Sequence, residues 1–173
     1  MRYAFAVLIR NVTIGVFLSA ALPSAAFGAT GDSADQRIDP GPCVAAVMAN
    51  DDDQIVAICS PLIDDEKTAK ADRIKALTAR AEVYDRKDQI DRAIGDYDTV
   101  LRLDPTLADV FNIRGELWRR KGDRPKALAD FGAAIKLNPQ HEAARANYRS
   151  LALELERIGA QMAIKNKPIP HLK

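Results

Sequence analysis

The sequence has few of the residues that metal binding and catalysis usually require. Its 173 residues include two cysteines and two histidines, and aromatic residues make up 6% of the chain. Neither His141 nor His171 belongs to a constellation of Cys, Asp or Glu residues at metal-ligand spacing. No glycine-rich phosphate loop, Gly-x-Ser-x-Gly elbow or zinc motif is present. We therefore expect no cofactor, no metal and no catalysis, although residues distant in sequence can converge in a fold.

Neither sign of charge is in excess. The chain has 25 Lys and Arg residues against 24 Asp and Glu residues, a formal net charge of +1. A nucleic-acid-binding domain needs a basic face, whereas interspersed charges are typical of solvated helix faces. The composition predicts a single globular domain, 47% hydrophobic, that does not bind nucleic acid.

The one long apolar stretch lies near the N-terminus. A basic start precedes the apolar run Val12–Leu22, and a proline and small residues follow it. This layout predicts a signal peptide, residues 1–28, cleaved after Ala26 or Gly28, and a periplasmic or secreted mature protein. The alternative is a membrane anchor, but the run is shorter than the roughly 20 residues of a spanning helix, so no stable membrane insertion is expected.

An internal repeat follows. The segment "LRLDP" at 101–105 returns as "IKLNP" at 135–139, 34 residues later. Residues 74–107 and 108–141 align without gaps, and many further positions match in size. The identical pairs are Arg80/Arg114, Glu82/Glu116, Arg86/Arg120, Lys87/Lys121, Ala93/Ala127, Asp96/Asp130, Leu103/Leu137 and Pro105/Pro139.

Each repeat has the pattern of two helices joined by a turn. In the second repeat, Gly122 ends the first helix and Pro125 suits the first turn of the next. Apolar residues at helical spacing mark one face of each helix; in the first repeat these are Leu77, Ala81 and Tyr84, then Ala93, Tyr97 and Val100.

This pattern resembles the tetratricopeptide repeat (TPR) family. Its 34-residue unit has a small residue eighth, an aromatic eleventh, an alanine twentieth, an aromatic twenty-fourth and a proline thirty-second. Counted from Ile74 and Ala108, both repeats match these positions. They depart at the fourth position, where the family often has tryptophan and this chain has Leu77 and Phe111, and at the seventh, where Arg80 and Arg114 replace an apolar residue. The resemblance implies an all-α fold, an α-α superhelix or solenoid.

Two repeats bury too little alone, so covering helices are expected on both sides. After a flexible linker at 29–40, residues 41–73 read as a degenerate first helix pair. Residues 142–164 read as a capping helix, and 165–173 as a tail. A longer heptad seam for self-association is the alternative for the capping helix. Its apolar stripe is Ala144, Tyr148, Leu151, Leu155, Ile158 and Met162.

The two cysteines flank the turn of the degenerate pair. Cys43 and Cys59 are each eight residues from Asp51, so they lie at the same height in an antiparallel helix pair. The same relation links Ala81 to Tyr97. Export to an oxidising compartment favours a disulfide. The alternatives are buried free thiols or dithiol chemistry, for which the spacing is far from Cys-x-x-Cys.

Three acids, Asp51, Asp52 and Asp53, open the second helix of this pair. They allow a cation site, but they lack the spaced ligands of a calcium loop. We interpret them as a helix cap with favourable dipole interactions.

The resemblance also implies a binding surface. In this family the first helix of each pair lines a concave groove that holds extended peptides or helices. The second, fifth, ninth, twelfth and thirteenth positions face the groove; here they are Lys75, Thr78, Glu82, Asp85 and Arg86, then Asp109, Asn112, Glu116, Arg119 and Arg120. The mixed charge predicts a polar or basic-containing ligand, with Arg119 and Arg120 as an anchor for an acidic group. Ordinary solvated helix faces are the alternative.

Three functions follow as hypotheses. The first is a non-catalytic protein–protein interaction module or adaptor in the bacterial cell envelope, which binds a partner peptide or helix in the groove. The second is a self-associating structural protein that uses the C-terminal helix to form a homo-oligomer. The third, an enzyme or small-ligand binder, requires a closed pocket that so short a solenoid rarely forms.

Overall fold

The computed structural model describes residues 37–165, and these residues form seven α-helices. The predicted signal peptide, most of the predicted linker and nearly all of the predicted tail lie outside the described residues. The helices are α1 Gly41–Ala49, α2 Asp52–Asp64, α3 Lys70–Arg86, α4 Ile90–Leu103, α5 Ala108–Lys121, α6 Arg124–Leu137 and α7 Glu142–Lys165.

Each helix packs mainly on the helices before and after it in the chain. Short turns join α1 to α2, α3 to α4 and α5 to α6 into three antiparallel pairs, and the second helix of each pair packs on the next element. The all-α prediction is confirmed, and successive packed pairs are the architecture of an α-α superhelix.

The turns have the predicted chemistry. Asp51 caps α2 by accepting a hydrogen bond from the backbone N–H of Gln54 at 3.1 Å, so the acids open a helix as expected. Gly122 ends α5 with φ of 89°, a left-handed conformation that glycine adopts without strain. Asp88 occupies the equivalent place one repeat earlier, with φ of 54°.

Helix α3 begins earlier than the repeat pattern predicts. The first repeat is predicted to start at Ile74, whereas α3 begins at Lys70 and so has an additional turn. That turn is held by Arg73, whose guanidinium donates to the backbone carbonyl of Asp65.

The predicted apolar faces form the core. Leu77, Ala81 and Tyr84 of α3 pack against Ala93 and Tyr97 of α4, and all five are buried. A second cluster lies between the first helix pair and α3, around the two cysteines. A third joins α6 to α7.

Helix α7 covers α6 with part of its apolar stripe. Leu151 is fully buried against Ala127 and Phe131, and Leu155 packs on the same cluster. Met162 is 60% exposed. The reason is length: α7 has 24 residues and α6 has 14, and a helix rises about 1.5 Å per residue, so the end of α7 extends past its neighbour.

Across residues 37–165, none of the helices combines the length and the apolar character needed to cross a bilayer.

Candidate functional site

A disulfide joins the two helices of the first pair. Cys43 in α1 and Cys59 in α2 are 16 residues apart and their sulfurs lie 2.04 Å apart, so the bond predicted from the sequence is present. Of its nine residues, α1 buries Cys43 and Ala46. Since a helix this short is marginal by itself, the bond to Cys59 is a main reason that α1 stays in place.

The same 16-residue relation recurs in the next two pairs. Ala81 and Tyr97 are both buried between α3 and α4. Gly115 lies directly against the ring of Phe131. Cys43, Ala81 and Gly115 therefore occupy equivalent positions on the first helices of the three pairs.

This equivalence shows what α1 contributes to the predicted groove. Residues one, four and five places further along are the ninth, twelfth and thirteenth positions of each unit. In α1 they are Val44, Val47 and Met48; in α3 they are Glu82, Asp85 and Arg86; in α5 they are Glu116, Arg119 and Arg120. The three α1 residues were not predicted as groove residues, although the spacing of the cysteines was the signal that identifies them.

These α1 residues are apolar and exposed. Val44 is 47% exposed, Val47 41% and Met48 84%. Large contiguous apolar patches on a protein surface commonly mark interaction sites, whereas singly scattered apolar side chains are ordinary. They border a depression of about 220 Å³ that reaches α3; its lining residues are Cys43, Val44, Val47, Met48, Lys75 and Ala79.

At the turn end of the helices, basic side chains of one unit pair with acids of the previous unit. Arg86 donates to Asp52, and Lys87 lies 2.6 Å from Asp53. One unit later, Arg120 donates to both Asp85 and Asp88. Lys121 likewise pairs with Asp91. The identities Arg86/Arg120 and Lys87/Lys121 therefore have a structural explanation.

These ion pairs between successive units involve two of the predicted groove residues, Arg86 and Arg120. The hydrogen bond to Asp52 raises the pKa of Arg86, and the hydrogen bond to Asp85 raises the pKa of Arg120. The hydrogen bond from Arg86 lowers the pKa of Asp52. Both arginines are thus charged and already paired, while Arg119 beside them is exposed and forms no ion pair within residues 37–165.

The other acidic groove positions have different neighbours. Glu82 is exposed, and within the described part of the chain it forms no hydrogen bond or ion pair. Its charge still affects a neighbour. The pKa of Tyr97 is raised, first because its hydroxyl is buried and second because Glu82 and Asp85 carry negative charge nearby. Glu116 is also exposed and accepts hydrogen bonds at Oε1 from Asn112 at 3.2 Å and from Asn147 at 2.7 Å.

The remaining predicted positions lie toward the start of the first helices. Thr78 is half-buried in α3. Lys75 is exposed, and its Nζ is 3.5 Å from Asp72 on the same helix. In α5, the carboxylate of Asp109 lies 3.0 Å from Nε2 of His141. The structure thus places the predicted residues on the first helices α3 and α5.

The departures from the family pattern, Arg80 and Arg114, form a second repeated contact that sequence reasoning missed. Arg80 makes a two-point contact with Asp96, at 2.9 and 2.7 Å, and Arg114 makes the same contact with Asp130, at 2.8 and 2.6 Å. The hydrogen bond to Asp96 raises the pKa of Arg80. The sequence contained a signal for this contact, because the arginine and the aspartate are both identical between the two repeats. These pairs tie each first helix to its own second helix.

Within residues 37–165 no cluster of three His, Cys, Asp or Glu side chains is arranged to hold a metal ion. A depression of about 420 Å³ beside α7 is an open surface feature rather than an enclosed chamber; it is lined by Ile135, Arg145, Tyr148, Arg149, Ala152, Leu153 and Glu156.

Comparison with known proteins finds a likeness in structure alone. No protein-family model and no curated protein sequence matches the chain. Among solved structures, the first TPR domain of Spaghetti (RPAP3), bound to the HSP90 peptide SRMEEVD, aligns with a TM-score of 0.58 and 16% identity, over 70% of this chain and 98% of that one.

The Arabidopsis OM64 TPR domain aligns with a TM-score of 0.50 and 18% identity, over 65% of this chain and 89% of that one. At such identities the likeness concerns the fold. The part of the chain described by the structure therefore has the fold of tetratricopeptide-repeat domains.

Proposed function

We propose that this chain is a non-catalytic protein–protein interaction module of the bacterial cell envelope. A segment of another protein, extended or helical, lies across the first helices α1, α3 and α5. The RPAP3 domain was solved with a peptide of another protein bound, and the shared fold supports a protein ligand here.

The exposed apolar surface of α1 is the observation that supports this most. Val44, Val47 and Met48 occupy the same positions as the charged groove residues of α3 and α5. Their spacing of three and four residues places all three side chains on one face of α1, where they form a continuous apolar patch. Their exposure therefore supports a surface that a partner covers.

The envelope location rests on two features. The N-terminal sequence has the layout of a signal peptide, and the disulfide between Cys43 and Cys59 is stable in an oxidising compartment. Cell fractionation with mass measurement of the mature N-terminus tests this proposal. A cytoplasmic protein that retains Met1 would contradict it.

Site-specific crosslinking tests the groove. The chain carries a photoreactive residue at Met48 or, as a control, at Arg102 on the second helix α4, and is irradiated in intact cells. We expect a crosslinked partner from position 48 and none from position 102.

A matched pair of variants decides whether the crosslink reports binding. Val44→Asp/Met48→Asp places two negative charges on the α1 surface. Leu153→Asp, the control, places one negative charge on the exposed side of α7. Circular dichroism checks that both remain folded. If only Val44→Asp/Met48→Asp fails to capture the partner, binding in the groove is supported. Equal capture by the unchanged chain and both variants contradicts it.

Self-association is the second candidate function, and the exposure of α7 favours it. Leu153 is 59% exposed, Met162 60% and Tyr148 39%. Light scattering at increasing protein concentration tests it: a mass that doubles, and that Leu153→Asp returns to the monomer value, supports a dimer through α7. A monomer at every concentration rules it out.

A further inference from the structure

We propose that the partner segment combines an apolar side chain with two basic ones, in the order in which it crosses α1, α3 and α5. This inference rests on the proposed function and assigns the chemistry of its ligand. It is the opposite of an acidic ligand held by Arg86, Arg119 and Arg120.

The ninth positions of the three units carry the argument. They are Val44, Glu82 and Glu116, one on each consecutive first helix. All three are exposed, so a ligand that crosses the helices meets an apolar side chain, then a carboxylate, then a second carboxylate. Charge complementarity requires cations opposite the two glutamates.

Two of the three predicted groove arginines are already neutralised, and Arg119 is exposed without an ion pair within residues 37–165. Arg86 pairs with Asp52, and Arg120 pairs with Asp85 and Asp88. Glu82 receives no such partner within residues 37–165. The sequence count of groove charges is therefore misleading, because it assigns Arg86 and Arg120, which the fold pairs with acids, the same availability as Glu82, which has no ion pair within residues 37–165.

Glu116 is prepared as an acceptor. The side-chain amides of Asn112 and Asn147 both donate to its Oε1, which holds the carboxylate in one orientation. No hydrogen bond reaches Oε2 from the described residues. A fixed carboxylate with one free oxygen accepts a charge-assisted hydrogen bond without further ordering of the side chain.

The spacing of the ligand follows from the helices. Directly packed helices lie about 8–10 Å apart, which is the least separation of consecutive first helices, and an extended chain advances about 3.3 Å per residue. The three contact residues are therefore at least about three residues apart. An extended ligand has its apolar residue on the α1 surface and its two basic residues on α3 and α5, each separated from the last by at least about three residues.

A random peptide library tests the pattern. Phage-displayed 12-residue peptides are selected on the purified chain, and the enriched peptides are synthesised and titrated. We expect peptides that carry an apolar residue and two Lys or Arg residues, each at least about three residues apart. Affinity should fall about tenfold in Glu82→Gln/Glu116→Gln and decline with added salt. Glu142→Gln/Glu156→Gln makes the same charge change on the exposed surface of α7 and should leave affinity unchanged.

The outcomes separate this inference from the proposed function. Enriched acidic peptides that lose affinity in Arg119→Ala and in Val44→Asp/Met48→Asp would overturn the ligand chemistry and leave the groove standing. Peptides whose affinity no groove variant alters, or no enrichment at all, would overturn both.

Discussion

Gly115 in α5 lies so close to Phe131 in α6 that a Cβ at residue 115 would stand 2.7 Å from Cε1 of the ring. Phe131 has no exposed surface, so its ring has no open space to move into. Protein interiors are packed at crystal density. The two helices can therefore approach this closely only because residue 115 has no side chain.

Replacement of Gly115 by alanine should destabilise the fold. Overpacking costs about 1–3 kcal/mol, which exceeds the gain of roughly 0.5–1 kcal/mol from alanine in a helix. Gly95→Ala is the matched control, because Gly95 is exposed in α4 and a Cβ there meets nothing within 4 Å. Thermal unfolding should show a lower midpoint for Gly115→Ala and an equal or higher one for Gly95→Ala. Equal changes in the two variants would contradict the close contact.

The contact of Arg114 with Asp130 should contribute more to the free energy of unfolding than any ion pair between successive units at the turn end of the helices. Asp130→Asn removes a charged acceptor from an arginine whose side chain is 18% exposed, and hydrogen bonds to charged groups contribute about 1.5–3 kcal/mol. Asp53→Asn makes the same change in an exposed pair with Lys87, where about 0–1 kcal/mol is expected. Denaturant titration compares the two, and a larger loss for Asp53→Asn would refute this ranking.

Loss of the disulfide should loosen the first helix pair more than the others. Closing a 16-residue loop contributes about 3 kcal/mol in the chain-entropy model, and repeat proteins lose stability locally. In Cys43→Ser/Cys59→Ser, amide exchange should accelerate in α1 and α2 and remain nearly unchanged in α5 and α6.

A reducing agent provides the control for that experiment. It should reproduce the exchange pattern in the unmodified chain and have no effect on the double variant. Alkylation of both cysteines before reduction would show that the bond is not formed in the purified protein.

Leu151 and Leu153 differ by two residues on α7 and should respond differently to the same change. Leu151 is fully buried against Phe131, whereas Leu153 is 59% exposed. Leu151→Ala should cost about 2–5 kcal/mol, as buried leucines do. Leu153→Ala should stay within about 0.5 kcal/mol of the unchanged protein. Chemical denaturation measures both, and similar losses would mean that α7 does not cover α6 in solution.

Much of the architecture follows from local pattern. The spacing of Leu77, Ala81 and Tyr84 predicts a helix face that the structure buries, and Gly122 ends its helix where the turn chemistry requires. The cysteine pairing also follows, because two residues equidistant from a turn meet in an antiparallel pair. Such features depend on residues close together in the chain, so periodicity is sufficient to identify them.

The proposed binding surface depends on contacts between units, which periodicity does not describe. The sequence predicts Arg86 and Arg120 as groove residues of the same standing as Glu82 and Glu116. Only packing shows that each arginine reaches the acids of the previous unit.

Whether a feature could be predicted depends on how far apart in the chain the residues that form it lie. Helix periods, turns and the 34-residue repeat are local, so the sequence by itself determined the all-α fold, the helix pairs and the pairing of Cys43 with Cys59. The contacts of Arg80 and Arg114 and the exposure of Met48 depend on how separate helices meet. The tertiary structure alone decided which charged side chains form ion pairs and which do not within residues 37–165.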